Sequence, residues 1–413
     1  MVSSDEYADL TSNDTFVAGV PHATFKRLRD TDPVSWVDEA DGAGFWAITR
    51  WADVRAISGD PARFTTTKGI RMEEWDEEQT VNRRTMMNFD PPEHTRLRRL
   101  VNRGFTRRVV QTYEEAIRIL TREVLDEALV RDELDFVEDV ARMLPMRMLG
   151  RLLGVPDRDG PHLVRLGDAL IGNADPEFTD FPIDLTDTEE FRLLPFRSPA
   201  TLELYRYAEA AAVERRARPT DDVITKLLAP TIDGEPLTDL EFKNFFTLLV
   251  AAGNDTTRYT LAHGMHALMA NPDQLARWRD DFSISDTAAD EILRSGSVTM
   301  HFRRTAQTDV ELGGRAIRAG DKVVMWYISA NYDDRQFAEP FGLDLVRDPN
   351  DHLAFGGGPH FCLGAWLARL EIKVVFEELL PRLADIRPNG EPERLRSNFI
   401  SGIKHLPVRV TRA

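Results

Sequence analysis

The chain has 413 residues, 42% hydrophobic and 29% charged, a composition that excludes a disordered protein and allows a sizeable buried core. Its formal net charge of −17 argues against a nucleic-acid partner, because such a surface repels phosphate backbones. The single cysteine excludes an internal disulfide. The polar, acidic opening and the lack of any run near twenty apolar residues predict a cytoplasmic protein without a membrane span.

No repeat or linker divides the chain, so residues 1–413 are expected to form one domain. In chain order, Pro33 to Arg50 reads as a hairpin turning at Gly42 and Gly44, and Pro61 to Asp90 as irregular. Helical patterns run from Pro92 to about Ala174. The first helix opens on prolines and carries a basic run, Arg96, Arg98, Arg99, Arg103, Arg107 and Arg108. His94 and Arg98, four apart, share one side of that helix and could grip a carboxylate. Residues 175–199 follow neither period, as a lid or binding loop would.

Leu240 to Ala270 predicts one helix about 45 Å long, started by a capping box at Thr238 and Glu241. Phe245 to Ala252 is apolar on all faces; the centre, Gly253-Asn254-Asp255-Thr256-Thr257, ranks poorly in helices. A hydroxyl or water inserted in the ladder there would open a groove. Glu291 and Arg294, three apart, can pair on one helical face. A β-rich patch follows, then a final helix from Leu363 to about Leu380, and Asn398 to Val410 alternates as a last hairpin.

Before the final helix stands Phe355-Gly-Gly-Gly-Pro-His-Phe-Cys362-Leu-Gly364. Three glycines permit positive φ and close approach to a flat object. Cys362 sits where a helix N-terminus favours the thiolate, the form that ligates metals. A buried structural cysteine, or a nucleophile with His360 as its base, are the alternatives; neither accounts for the glycines.

This segment resembles the haem-binding loop of the cytochromes P-450: Phe, two residues, Gly, three residues, Cys, one residue, Gly. The resemblance extends from about Phe25 to the end. It implies a mainly α fold with a smaller β region, the haem lying between the long central helix and the helix after the cysteine loop. Cys362 would be the axial ligand to the iron of haem b, with Phe355, Gly356 and Gly364 around it. Ala252 and Gly253 would shape the oxygen groove, and Asp255 and Thr256 would be the acid–alcohol pair delivering protons during dioxygen activation. His94, Arg98, Arg304 and His360 would hold the haem propionates, and Glu291 and Arg294 would form a structural ion pair.

Pocket walls implied by the resemblance are Leu248, Ala251, Val298, Met300, Phe399 and Ile400, with Met86, Met87 and Phe89 as a roof. All are apolar, so the substrate should be too. The motif wording is most similar to actinobacterial members acting on sterol side chains and branched lipids, with terpenoids in related branches. Two electrons would come from NAD(P)H through a ferredoxin reductase and an acidic ferredoxin docking on Arg99, Arg103 and Arg107. A peroxide-driven or non-oxygenating haem enzyme would not need Asp255 and Thr256, nor would a non-enzymatic haem-binding protein. One departure stands out: after Glu291 and Arg294 the usual Trp and Ser-Pro-Val are replaced by Ser295-Gly-Ser-Val-Thr-Met300. That changes the expected backbone path beside the pocket.

Overall fold

The hairpin is present: β1 (Val34–Val37) and β2 (Phe45–Ile48) pair antiparallel, with Trp36 opposite Trp46, in the computed structural model, which describes residues 7–40, 42–231 and 233–413. Three later strands, β3 (Phe64–Thr65), β4 (His301–Ala306) and β5 (Lys322–Trp326), complete a sheet of order β1-β2-β5-β4-β3. β5 runs parallel to β2 and antiparallel to β4. Every residue of β5 is buried, because both faces are covered, which is why it reads as a nearly continuous apolar run. Val324 and Trp326 meet Phe25 and Phe45 on one side; Val323 and Met325 meet Val34 and Ile48 on the other.

The helical body is built from α1 (Glu93–Val101), α2 (Met143–Leu153), α3 (Gly160–Ile171), α4 (Ala200–Ala217), α5 (Asp239–Ala270), α6 (Ser285–Gly296) and α7 (Ala365–Leu379). The capping box at the start of α5 is formed. The Glu241 amide donates to Thr238 Oγ1 (3.2 Å) and the Thr238 amide to Glu241 Oε2 (2.8 Å). α5 is helical throughout its 32 residues and packs against α2, α3, α4, α6 and α7. A helix enclosed on all sides has no polar face to show, hence the apolar run from Phe245 to Ala251.

Glu291 and Arg294 are both fully buried and joined by two hydrogen bonds (2.8 and 2.7 Å). Arg347 adds a third cationic contact at 3.0 Å, and Arg294 donates onward to the Asn331 and Pro340 carbonyls. Full pairing is what makes such a buried ion pair tolerable.

Two expectations need correction. The irregular stretch holds a helix, Glu77–Arg83, begun by a reciprocal capping box between Asp76 and Gln79. The tail is not one hairpin. Ile403–His405 pairs with Glu393–Arg394, whereas Pro407–Arg412 pairs with Leu383–Pro388 and Glu133–Asp135. With one residue between them, these two strands each continue into a different sheet. Residues 175–199 contain only two short 3-10 turns, as a loop should.

Candidate active site

Cys362 opens onto a cavity of about 270 Å³ bounded by α5, α7 and the glycine loop. The loop's path is dictated at Gly358. It has φ +64°, and a β-carbon there would stand 2.0 Å from the Ser58 carbonyl oxygen, so only glycine fits. The Cys362 amide donates to the Phe355 carbonyl (3.0 Å) and closes the turn. Gly364 is different. Its φ of −85° suits any residue, and a β-carbon there would meet nothing within 4 Å. The chain itself does not require glycine at this position; a flat group lying against the loop would.

Burial pushes the Cys362 thiol up, opposed by the Gly364 amide and the charges of Arg98 and Arg369. The amide effect anticipated from the helix start is present but smaller than the desolvation. Metal coordination reverses that balance, because a coordinated thiol is deprotonated outright.

Across the cavity, α5 presents Ala252, Gly253 and Thr256. Ala252, in the middle of an enclosed helix, is solvent-accessible because the cavity adjoins it. Thr256 Oγ1 donates to the Ala252 carbonyl at 2.8 Å, a bond from side chain to the preceding turn that leaves the helix continuous rather than opening its ladder as anticipated. Gly253 has a second reason to be small: its β-carbon would meet Leu149 Cδ2 at 2.6 Å, so it also lets α2 pack closely.

Asp255 faces the other way. It is fully buried and does not line the cavity. Its Oδ1 accepts from Arg258 (2.6 Å) and Asn254 (2.9 Å), and Arg258 also binds Asp168 (2.7 Å), which takes Arg142 (2.5 Å). Burial raises the Asp255 pKa, Arg258 opposes it, and the adjacent Asp168 raises it further. This carboxyl lies one residue from Thr256, with Oδ2 unpartnered. Glu371 on α7 is a second acid, missed in the sequence. It lines the cavity, burial pushes it up to about 8, and the Thr257 hydroxyl is its partner. A lone glutamate in ARLEIK carries no signal distinguishing it from a surface residue.

The four anticipated anion-binding groups come together. The His94 and His360 rings lie 4.2 Å apart. His94 Nε2 and both nitrogens of His360 are buried without a partner. Among the described residues Arg98 reaches only the Pro359 carbonyl (3.4 Å), and the Arg304 guanidinium donates to the Arg303 carbonyl (2.9 Å). Burial holds both histidines far below their usual value, and the neighbouring cations hold them lower still. Asp90, the nearby carboxylate, is already engaged by Thr65 and Thr66. Buried donors left unmatched call for acceptors. Arg98 and His360 line the cavity; His94 and Arg304 stand behind them. These donors and the open face of Gly364 fit a haem with two carboxylate arms.

Of the anticipated pocket walls, Met86, Met87, Leu248, Ala251, Val298, Phe399 and Ile400 line the cavity. Met300 and Phe89 do not. Met300 packs with Phe25 and Trp326 beneath the sheet, and Thr299 lines the cavity beside Val298. Phe89 packs against the helical core with the Arg84 guanidinium 5.0 Å from its ring centre. The missing proline after α6 is replaced by a polar cap. Ser297, at φ +39°, donates to the Arg294 carbonyl (2.7 Å) and accepts from Asn331 (2.7 Å).

Residues 62–398 match the cytochrome P450 family model. The chain is a cytochrome P450. Among relatives of this P450, a steroid C26-monooxygenase of Mycolicibacterium smegmatis is 37% identical, over 100% of this chain and 95% of the other. A methyl-branched lipid omega-hydroxylase of Mycobacterium tuberculosis is 38% identical over 94% of this chain and 91% of the other. A Mycobacterium marinum cytochrome P450 solved in complex with pseudoionone superposes with a TM-score of 0.89 at 39% identity, covering 99% and 100% of the two chains. The P450 is therefore a haem-thiolate monooxygenase with the fold anticipated from the cysteine loop. Among the described residues no helix is long and apolar enough to cross a membrane.

Proposed function

We propose that this P450 hydroxylates an apolar substrate of the steroid, terpenoid or branched-lipid class in the cytoplasm. Cys362 would ligate the haem iron, Phe355, Gly356 and Gly364 would shape the loop against the ring, and His94, Arg98, Arg304 and His360 would hold its carboxylates. Bound there, the haem supplies the oxidant that inserts one atom of dioxygen into a C–H bond, the other leaving as water. Thr256 Oγ1 holds a water at the cavity edge, and the buried Asp255 carboxyl is the acid behind it in proton delivery. The substrate class is supported by the apolar walls and by the names of the relatives, which act on steroids and methyl-branched lipids.

Electrons would come from NAD(P)H through a reductase and an acidic ferredoxin. Arg99, Arg103, Arg107 and Arg108 are exposed and, among the described residues, make no ion pair. Arg107 lies 5.1 Å from the centre of the exposed Trp366 ring, four residues beyond the cysteine. A local positive patch on an acidic protein is what steers an acidic partner.

The observation that carries the reading is a lone cysteine facing Thr256 across a cavity edged by two histidines with buried, unmatched ring nitrogens and by two arginines. The reduced protein with carbon monoxide should show the long-wavelength Soret band of thiolate ligation, and Cys362→Ser should lose it. A wild-type protein without that band sinks the proposal.

A further inference from the structure

Arg71 does not fit an all-apolar pocket. It lines the same cavity as Cys362, and among the described residues it makes no hydrogen bond and no ion pair. Its guanidinium lies 4.5 Å from the Phe399 ring centre, and burial pushes it down to about 10. The carboxylate nearest in sequence, Glu73, is fully committed elsewhere. Both its oxygens accept from Arg83 (2.8 Å each), Trp75 Nε1 adds a bond at 3.2 Å, and Arg197 approaches to 3.8 Å. Two other guanidiniums, Arg83 and Arg197, thus occupy Glu73, and Arg71, which faces the cavity, feels that carboxylate only at longer range. A charge removed from water without a counter-charge is costly, and stacking on one ring recovers only a part of that.

We infer that Arg71 anchors a carboxylate carried by the otherwise apolar substrate, so that the ligand class of this site is an amphipathic acid and not a neutral hydrocarbon. The inference rests on the monooxygenase reading for what happens next, with the acid held at Arg71 and oxidation falling on the apolar remainder. It does not depend on that reading for binding. Arginine suits the task because its fork matches a carboxylate with two parallel hydrogen bonds. Arg71 here acts as a specificity residue and has no part in proton delivery.

The test uses the full-length haem-loaded protein with hexadecanoic acid and its methyl ester, near neutral pH, where the acid is ionised. Affinities are read by calorimetry and by the haem spin-state change. The acid should bind at least about tenfold more tightly than the ester, about 1.4 kcal/mol. Arg71→Gln should bring that ratio to within about twofold, and Arg71→Lys should keep a clear preference for the acid. Equal affinities in the wild type, or an undiminished ratio in Arg71→Gln, overturn the inference. Should Arg71→Gln lose the carbon monoxide band through misfolding, the wild-type ratio and Arg71→Lys decide. A wild type lacking that band counts against the monooxygenase reading alone, because calorimetry still reports the ratio.

Discussion

The cysteine loop and the segments closing the opposite side of the cavity are held in place by different physics. At the loop, backbone geometry decides: Gly358 sits where any side chain would collide with the Ser58 carbonyl. On the far side, side-chain charge decides. Residues 175–199 are tied by Arg396 to Asp184 (2.6 Å), by Arg192 to Asp76 (2.9 Å) and by His405 to Glu177 (2.8 Å). The first kind of constraint is insensitive to salt and pH; the second is tunable by both. A site that must hold a reactive centre still while admitting varied ligands benefits from one of each.

The sharpest way to break this comparison is a pair of glycine substitutions. Gly358→Ala combines a left-handed backbone, which costs about 1–3 kcal/mol, with a backbone collision, and should lower the melting temperature markedly. Gly364→Ala should melt like the wild type when stripped of haem, yet take up less haem. Equal destabilisation of the two apoproteins would mean that the loop is not specified as described. A smaller effect is expected from Arg99→Glu with Arg103→Glu. Reduction by an acidic ferredoxin should slow several-fold, more at low ionic strength, with the melting temperature nearly unchanged. An unaltered rate would remove the docking patch.

The smallest effect lies at His405, which bridges Glu177 of the loop and Asp135, with Lys404, Asp175 and Glu393 close by. Burial opposes its charge, but the two carboxylates outweigh that and raise its pKa. Because the folded value lies above the unfolded one of about 6.5, the contribution is complete below that pH and disappears as pH rises through the folded value. Its size should stay within about 1 kcal/mol, since the pair is partly exposed. Limited proteolysis of the 175–199 loop should therefore quicken on the alkaline side, and His405→Gln should abolish that dependence. A loop cut equally fast at both ends of the range would show that charge does not hold it.

What was legible in the sequence tracks where local rules are broken. The glycines before Cys362 and the poor helix formers around Thr256 are locally unfavourable choices; Gly356, Gly253 and Thr256 lie on the cavity, whereas Gly358 is required by the Ser58 carbonyl. Positions in extended segments were harder. Met300 was placed one residue from the true wall: Val298 and Thr299 both line the cavity, so the segment does not alternate simply and its period could not assign the wall. The sequence pattern marks Asp255 but not its surroundings: Arg258 pairs with it three residues along α5, and Asp168 joins them only through packing of α3 on α5. Arg71 and Glu371 were missed because isolated charges ordinarily belong to solvent; only the enclosing walls make them unusual.

Ser297 ties two otherwise separate parts of the molecule together. Its hydroxyl binds the carbonyl of Arg294, the residue whose guanidinium anchors the buried ion pair, and the next residue, Val298, is already pocket wall. A proline in this segment would fix its course by ring geometry. Here a rotatable hydroxyl sets the course, so reshaping the ligand chamber requires only a new hydrogen-bond partner and leaves the scaffold's central charges where they are.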